Sequence, residues 1–92
     1  MKKRLNRLYS MGSRLKKGQT LTIPESIEYE SLVNEAKAAI DRVEDDHTRL
    51  VLTERYINAN KWSDIADKMG HYTDDGIRKC CERAVKKYLQ KK

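Results

Sequence analysis

Apolar side chains recur at helical spacing along this chain. In the opening segment Leu5, Leu8, Tyr9, Gly12 and Leu15 share one face and leave Lys and Arg on the other, which predicts a short amphipathic helix that frays at Gly12. Residues 18–24 are the one clear break. Ile23-Pro24-Glu25-Ser26 then reads as a helix start, because proline fits the first turn and acids favour the positive end of the helix dipole. That helix is predicted to run to about residue 44, with Tyr29, Leu32, Val33, Ala36, Ile40 and Val43 as its stripe. The stripe is close to a heptad, enough for a bundle helix or a short self-paired coil. Asp45-Asp46 is predicted to cap a third helix, about 47–59, with Leu50, Val51, Leu52, Tyr56 and Ile57 apolar. The second and third helices running together as one is the alternative. Asn58-Ala59-Asn60 is a turn signal. Ser63 is predicted to cap a short helix over 64–69, with Ile65, Ala66 and Met69 inward and Gly70 as its stop. Thr73 is predicted to cap the last helix, with Asp74 and Asp75 in its first turn and Ile77, Cys80, Cys81, Ala84, Val85 and Tyr88 facing the core. Cys80 is expected to be core and Cys81 partly exposed.

The prediction is therefore a small all-α domain with a C-terminal helix-turn-helix. Residues 1–18 form a basic amphipathic helix, and residues 19–92 form a helical domain whose helix-turn-helix occupies about 62–89.

Composition narrows the picture. A chain of 92 residues is one domain with a modest core. One proline, no phenylalanine and few β-branched runs argue against a sheet. Charged residues make up 37%, well above the usual quarter, which favours solvated helices. No apolar run approaches the roughly 20 residues that span a bilayer, so no membrane partner is expected. The basic start is followed by neither an apolar stretch nor a cleavage site, so no signal peptide is expected. Cys80 and Cys81 are adjacent and cannot form a useful staple. A reduced, cytoplasmic protein is the simplest expectation.

Charge is distributed in three blocks. Residues 1–18 carry seven Lys/Arg and no acid; 19–47 carry eight acids against Lys37 and Arg42; 48–92 carry eleven bases against six acids. Two basic ends around an acidic middle suit contact with a polyanion at one or both ends. The first block could meet DNA phosphates, a partner helix or an anionic surface, or simply dock on the domain.

Catalytic chemistry is not legible. His47 and His71 are distant and belong to no nucleophile motif, and the four glycines form no phosphate loop. Asp45-Asp46 and Asp74-Asp75 are accounted for as caps. His71, Cys80 and Cys81 would need a fourth ligand to hold a metal. No enzyme, cofactor or metal is expected.

The informative stretch is Tyr56 to Gly70 and on through Thr73-Asp74-Asp75-Gly76-Ile77-Arg78-Lys79. Two helices joined by a tight turn are the pattern that places a second helix in the DNA major groove. Arg55-Tyr56-Ile57, Trp62, Ile65-Ala66, Met69-Gly70, Tyr72-Thr73, Ile77, and Arg83-Ala84-Val85 with Leu89 resemble the helix-turn-helix of sigma-factor region four. They are most similar to the phage ArpU/RinA-type late-gene transcription regulators, which share that module. Lys3-Arg4-Leu5-Asn6-Arg7-Leu8-Tyr9-Ser10 also resembles the start of those phage proteins. The resemblance implies sequence-specific duplex binding by the last helix and activation of transcription through contact with RNA polymerase. One departure is length: Gly70-His71-Tyr72-Thr73 is one residue longer than the usual turn. The other is charge. With Ile77 inward and about 100° per residue, Asp75, Lys79, Glu82 and Lys86 point most directly outward, flanked by Arg78 and Arg83.

Arginine or lysine can donate to guanine O6 and N7, and aspartate can accept from cytosine N4. Thr73, Arg78 and Lys79 are accordingly assigned to base edges, and Arg83, Lys86 and Lys87 to phosphates. Lys91 and Lys92 read as a solvated tail. The expected partner is double-stranded DNA, with RNA polymerase a second candidate. A homodimer paired through the Tyr29-to-Val43 stripe would raise affinity by engaging two half-sites. The alternatives are a protein-interaction module of the same fold that docks on RNA polymerase or another host protein, and a small terminase-type DNA-packaging subunit.

Overall fold

Five α-helices, and no strand, make up the described residues, 2–70 and 73–89 of a computed structural model. They are α1 (Lys2–Lys16), α2 (Ile23–Asp41), α3 (Asp46–Leu52), α4 (Trp62–Met69) and α5 (Asp74–Ala84). Two of them end in a wider π-type turn: α3 continues through Thr53–Ile57 and α5 through Val85–Leu89. The domain is all-α, as the periodicity predicts.

Helix α1 docks on the rest of the chain. Leu5, Leu8 and Met11 are each 1% exposed, while Leu15, placed on the inner face by spacing, is 40% exposed. The helix does not fray at Gly12. Gly12 is buried, and a Cβ there would lie 2.9 Å from the Ala59 Cβ. The missing side chain is what lets α1 approach the turn at Ala59, whose φ is 55°.

Helix α2 runs alongside α1 and begins with a reciprocal cap. The Glu25 N–H donates to Thr22 Oγ1 at 3.3 Å and the Thr22 N–H donates to Glu25 Oε1 at 3.0 Å. Three ion pairs join the two helices: Arg4–Glu35 at 2.6 Å, Arg7–Glu28 at 2.6 Å and Arg14–Glu25 at 2.8 Å. The Glu25 carboxyl is held down at about 2 by the Arg14 guanidinium and then by the Thr22 N–H. The acidic middle of the chain thus neutralises much of its basic start. Leu32, Ala36, Ile40 and Val43 are buried in the core of the single chain, so the stripe assigned to self-pairing is spent internally. Any self-pairing would use another face.

Helix α2 stops at Asp41 rather than near 44, with the Arg42 N–H bonded to the Ala39 and Ile40 carbonyls. Helices α2 and α3 are separate. The Arg49 guanidinium bonds to the Val43 carbonyl at 3.1 Å and closes the corner between them. Asp45 caps α3 by accepting from the Thr48 N–H at 3.1 Å, as predicted. The shared core is completed by Val51 and Leu52 of α3, Ile65 and Ala66 of α4, and Ile77, Cys81 and Ala84 of α5. Among the described residues no helix is long and apolar enough to cross a membrane.

Candidate nucleic-acid interface

The end of α3 fixes both ends of α4. At the start of α4, the Arg55 guanidinium is stacked between two rings, 3.6 Å from the Tyr9 centroid and 3.8 Å from that of Trp62. It also donates to the Asn60 carbonyl at 3.2 Å. At the end of α4, Lys68 Nζ reaches back 2.6 Å to the Glu54 carboxylate, which is only 6% exposed. Asn58 Nδ2 donates to the same carboxylate. Burial pushes the Glu54 carboxyl up, but the bonds from Lys68 and Asn58 outweigh it and the net direction is down. Glu54 therefore stays ionised, and α4 is clamped at Trp62 and at Lys68. Ser63 is not the cap of α4. The helix begins two residues earlier, at Trp62, and Lys61 occupies the cap without a side-chain bond. Tertiary stacking of Trp62 on Arg55 decides the start here, where capping chemistry alone favours serine. Gly70 ends the helix at φ 93°, as predicted.

Helices α4 and α5 pack on each other through buried Ile65, Ala66 and Ile77. The longer turn at His71 and Tyr72 lies outside the described residues. Thr73 caps α5, its Oγ1 accepting from the Gly76 N–H at 3.0 Å. Beneath α5 the buried Tyr56 hydroxyl meets the Cys81 thiol, and burial pushes both upward, Cys81 to about 11. Cys81 is 0% exposed and Cys80 is only half-buried. The expected roles of the two cysteines are therefore exchanged. His71 is not among the described residues, so the His71-Cys80-Cys81 trio is not placed as a set.

The outer face of α5 is solvent-exposed from Thr73 onward. Thr73, Arg78, Lys79, Arg83, Lys86 and Lys87 are all at the surface. The base-edge candidates are not unpartnered: Asp75 pairs with Arg78 at 3.1 Å and with Lys79 at 3.2 Å. These pairs are exposed and weak, and a competing acceptor can displace them. Arg83 lies between two shallow grooves. One is shared with Lys87, Cys80 and Tyr88. The other, about 360 Å³, brings Lys79, Glu82, Arg83 and Lys86 together with Lys2 over a floor of Tyr56 and Val85. Lys2 was legible only as one of seven N-terminal bases; packing, not sequence, sets it beside α5. Lys91 and Lys92 lie outside the described residues. No family model, curated protein or solved structure matches this chain.

Proposed function

We propose that this chain binds rather than catalyses, as a sequence-specific duplex DNA-binding regulator of transcription. In this reading α4 and α5 act as a helix-turn-helix, with α5 in the major groove. The observation that carries it is where the positive charge is left. Arg4, Arg7 and Arg14 are taken up by acids of α2, whereas Arg83, Lys86 and Lys87 stand exposed along α5 and its last turn. Arg78 and Lys79 stand one turn nearer the capped N-terminus, where a recognition helix meets base edges. The resemblance to phage late-gene regulators adds the process served, transcription of phage or prophage genes, and RNA polymerase as a second partner.

Binding-site selection from random duplexes tests the reading, followed by affinity against salt for the selected site. Enrichment of a motif and a steep loss of affinity with salt are expected, because bound counterions are released. Absence of duplex binding at low salt would refute it. So would wild-type affinity in the Arg78→Ala, Lys79→Ala double variant.

One observation favours a second reading, docking on polymerase or another host protein. Asp75 compensates both Arg78 and Lys79, which quiets the part of α5 that would read bases. Polymerase capture by the full chain with no duplex binding would select that reading.

A further inference from the structure

We infer that α1 takes part in the DNA contact through Lys2, which completes a phosphate clamp with Lys79, Arg83 and Lys86 across the groove between the start of α1 and the outer face of α5. The inference rests on the duplex-binding reading and adds to it a residue far away in sequence.

Lys2 differs from the other bases of α1. Arg4, Arg7 and Arg14 each bond to a glutamate of α2, Lys3 lines a separate groove with Arg4, Arg7 and Glu28, and Lys16 bonds to Asn60 at the opposite end of the helix. Lys2 instead lines the groove that holds Lys79, Arg83 and Lys86. Those three are spaced i, i+4 and i+7 and so line one helix face over about 10 Å. Glu82 is the one acid lining the groove and Asp75 pairs with Lys79 at 3.2 Å, so four cations face two carboxylates and the groove keeps a net positive charge. Like charges held this close repel each other, and the natural relief is a polyanion that neutralises them together. Phosphates of a duplex supply such charge in a row.

The clamp is also rigid on both sides. Leu5 and Leu8, one and two turns beyond Lys2, are each 1% exposed. Tyr56 and Val85, the floor of the groove, are 6% and 3% exposed. Lys2 is thus carried on a docked helix rather than on a loose arm, and little order has to be imposed on the backbone when phosphate arrives. The start of α1 and the outer face of α5 thus line one groove.

The test uses the full chain and a fluorescein-labelled mixed-sequence DNA duplex, with anisotropy read between about 50 and about 200 mM salt. Lys2→Ala is compared with the parent and with Lys37→Ala, which removes the same charge from an exposed position on α2 outside the groove. Loss of one phosphate contact lowers the slope of log affinity against log salt by about 0.9. A fourfold rise in salt should then cost the Lys2→Ala variant about 3.5-fold less affinity than it costs the parent, with the Lys37→Ala slope unchanged. Glu82→Gln should tighten binding by removing the one carboxylate of the groove. If the parent binds and Lys2→Ala keeps its slope, or if Lys37→Ala flattens it as much, the clamp is wrong and the duplex-binding reading stands. If the parent binds no duplex at low salt, both fall together.

Discussion

The docking of α1 can be tested at one atom pair. Gly12 lies within α1, where alanine in an isolated helix would be better by about 1 kcal/mol. Here its Cβ would lie 2.9 Å from the Ala59 Cβ, well inside the ordinary carbon–carbon contact of about 3.5–4.0 Å. Ala59 cannot easily retreat. It is buried, its φ is 55°, and the next residue is pinned by an Asn60 N–H bond to the Glu54 carbonyl at 3.0 Å. Overpacking of this kind costs about 1–3 kcal/mol, so Gly12→Ala should destabilise by about 1 kcal/mol once the helix gain of about 1 kcal/mol is set against it. Ala59→Gly relieves a left-handed alanine, worth about 1–2 kcal/mol. It also loses a buried methyl of about 0.8 kcal/mol and frees the unfolded chain by about 0.4–1 kcal/mol. Its net effect should be close to zero. In the double variant the nearest neighbours of the new methyl would be Tyr29 Oη at 3.6 Å and Cε1 at 3.9 Å, which is ordinary contact. The helix gain should then appear, with a favourable coupling of about 1–3 kcal/mol between the two sites. Urea and thermal unfolding read this directly, since 1 kcal/mol is about 4–8 °C in a domain of this size. A stabilised Gly12→Ala single variant would refute the close packing of α1 on the turn. So would additivity within about 0.5 kcal/mol.

Asp75→Asn should strengthen duplex binding, because it frees Arg78 and Lys79 and removes an outward carboxylate; titration of a mixed-sequence duplex checks this, and weaker binding there would contradict the compensation argument. Acid should weaken the α1–α2 contact through Glu25. Its folded value of about 2 lies below the ordinary 4.5, so its contribution is present above pH 4.5 and is lost as pH falls from there towards 2. Glu25→Gln should flatten acid unfolding in that window, and an unchanged profile would mean that the Arg14 and Thr22 bonds to Glu25 do not stabilise the fold. The thiols should react in order. A thiol reagent at mildly alkaline pH should modify half-buried Cys80 in the native protein but reach Cys81, fully buried and pushed up to about 11, only on unfolding. Equal native rates would contradict the orientation of α5.

What was legible in the sequence was local. Asp45, Gly70 and Thr73 mark helix ends because each acts on backbone within three or four residues of itself. The inner face of α5 followed from spacing, and even the cysteine exchange had a signal: about 100° per residue puts Cys81 nearer the Ile77 direction than Cys80. Contacts between distant residues were not legible. The stripe on α2 has the same period whether it covers its own core or a second copy, and the chain's own helices cover it. The start of α4 at Trp62 depends on Arg55 and Tyr9, which meet only in the fold. Spacing points to four of the six candidate DNA contacts, Arg78, Lys79, Arg83 and Lys86, but not to their neighbours. Asp75 against Arg78 and Lys79 was within reach of an i, i+3 and i, i+4 count. Lys2 against Lys79, Arg83 and Lys86 was not.

Net charge is consequently a poor guide to where positive potential is left on this domain. The formal +6 places as many bases in the first eighteen residues as would suit a free DNA-binding arm. Three of those seven charges have another use. Arg4, Arg7 and Arg14 sit opposite Glu35, Glu28 and Glu25, so the acids of α2 both set the register of α1 and silence it electrostatically. Burial of Leu5, Leu8 and Met11 provides the stability; exposed ion pairs add little but decide which potential remains. Of what remains at the start of α1, Lys2 lines the groove at α5. On the duplex-binding proposal, the same packing that hides the arginines makes affinity depend on α1 being docked. A chain loosened at the Gly12–Ala59 contact should lose salt-dependent binding along with stability, although neither residue carries a charge.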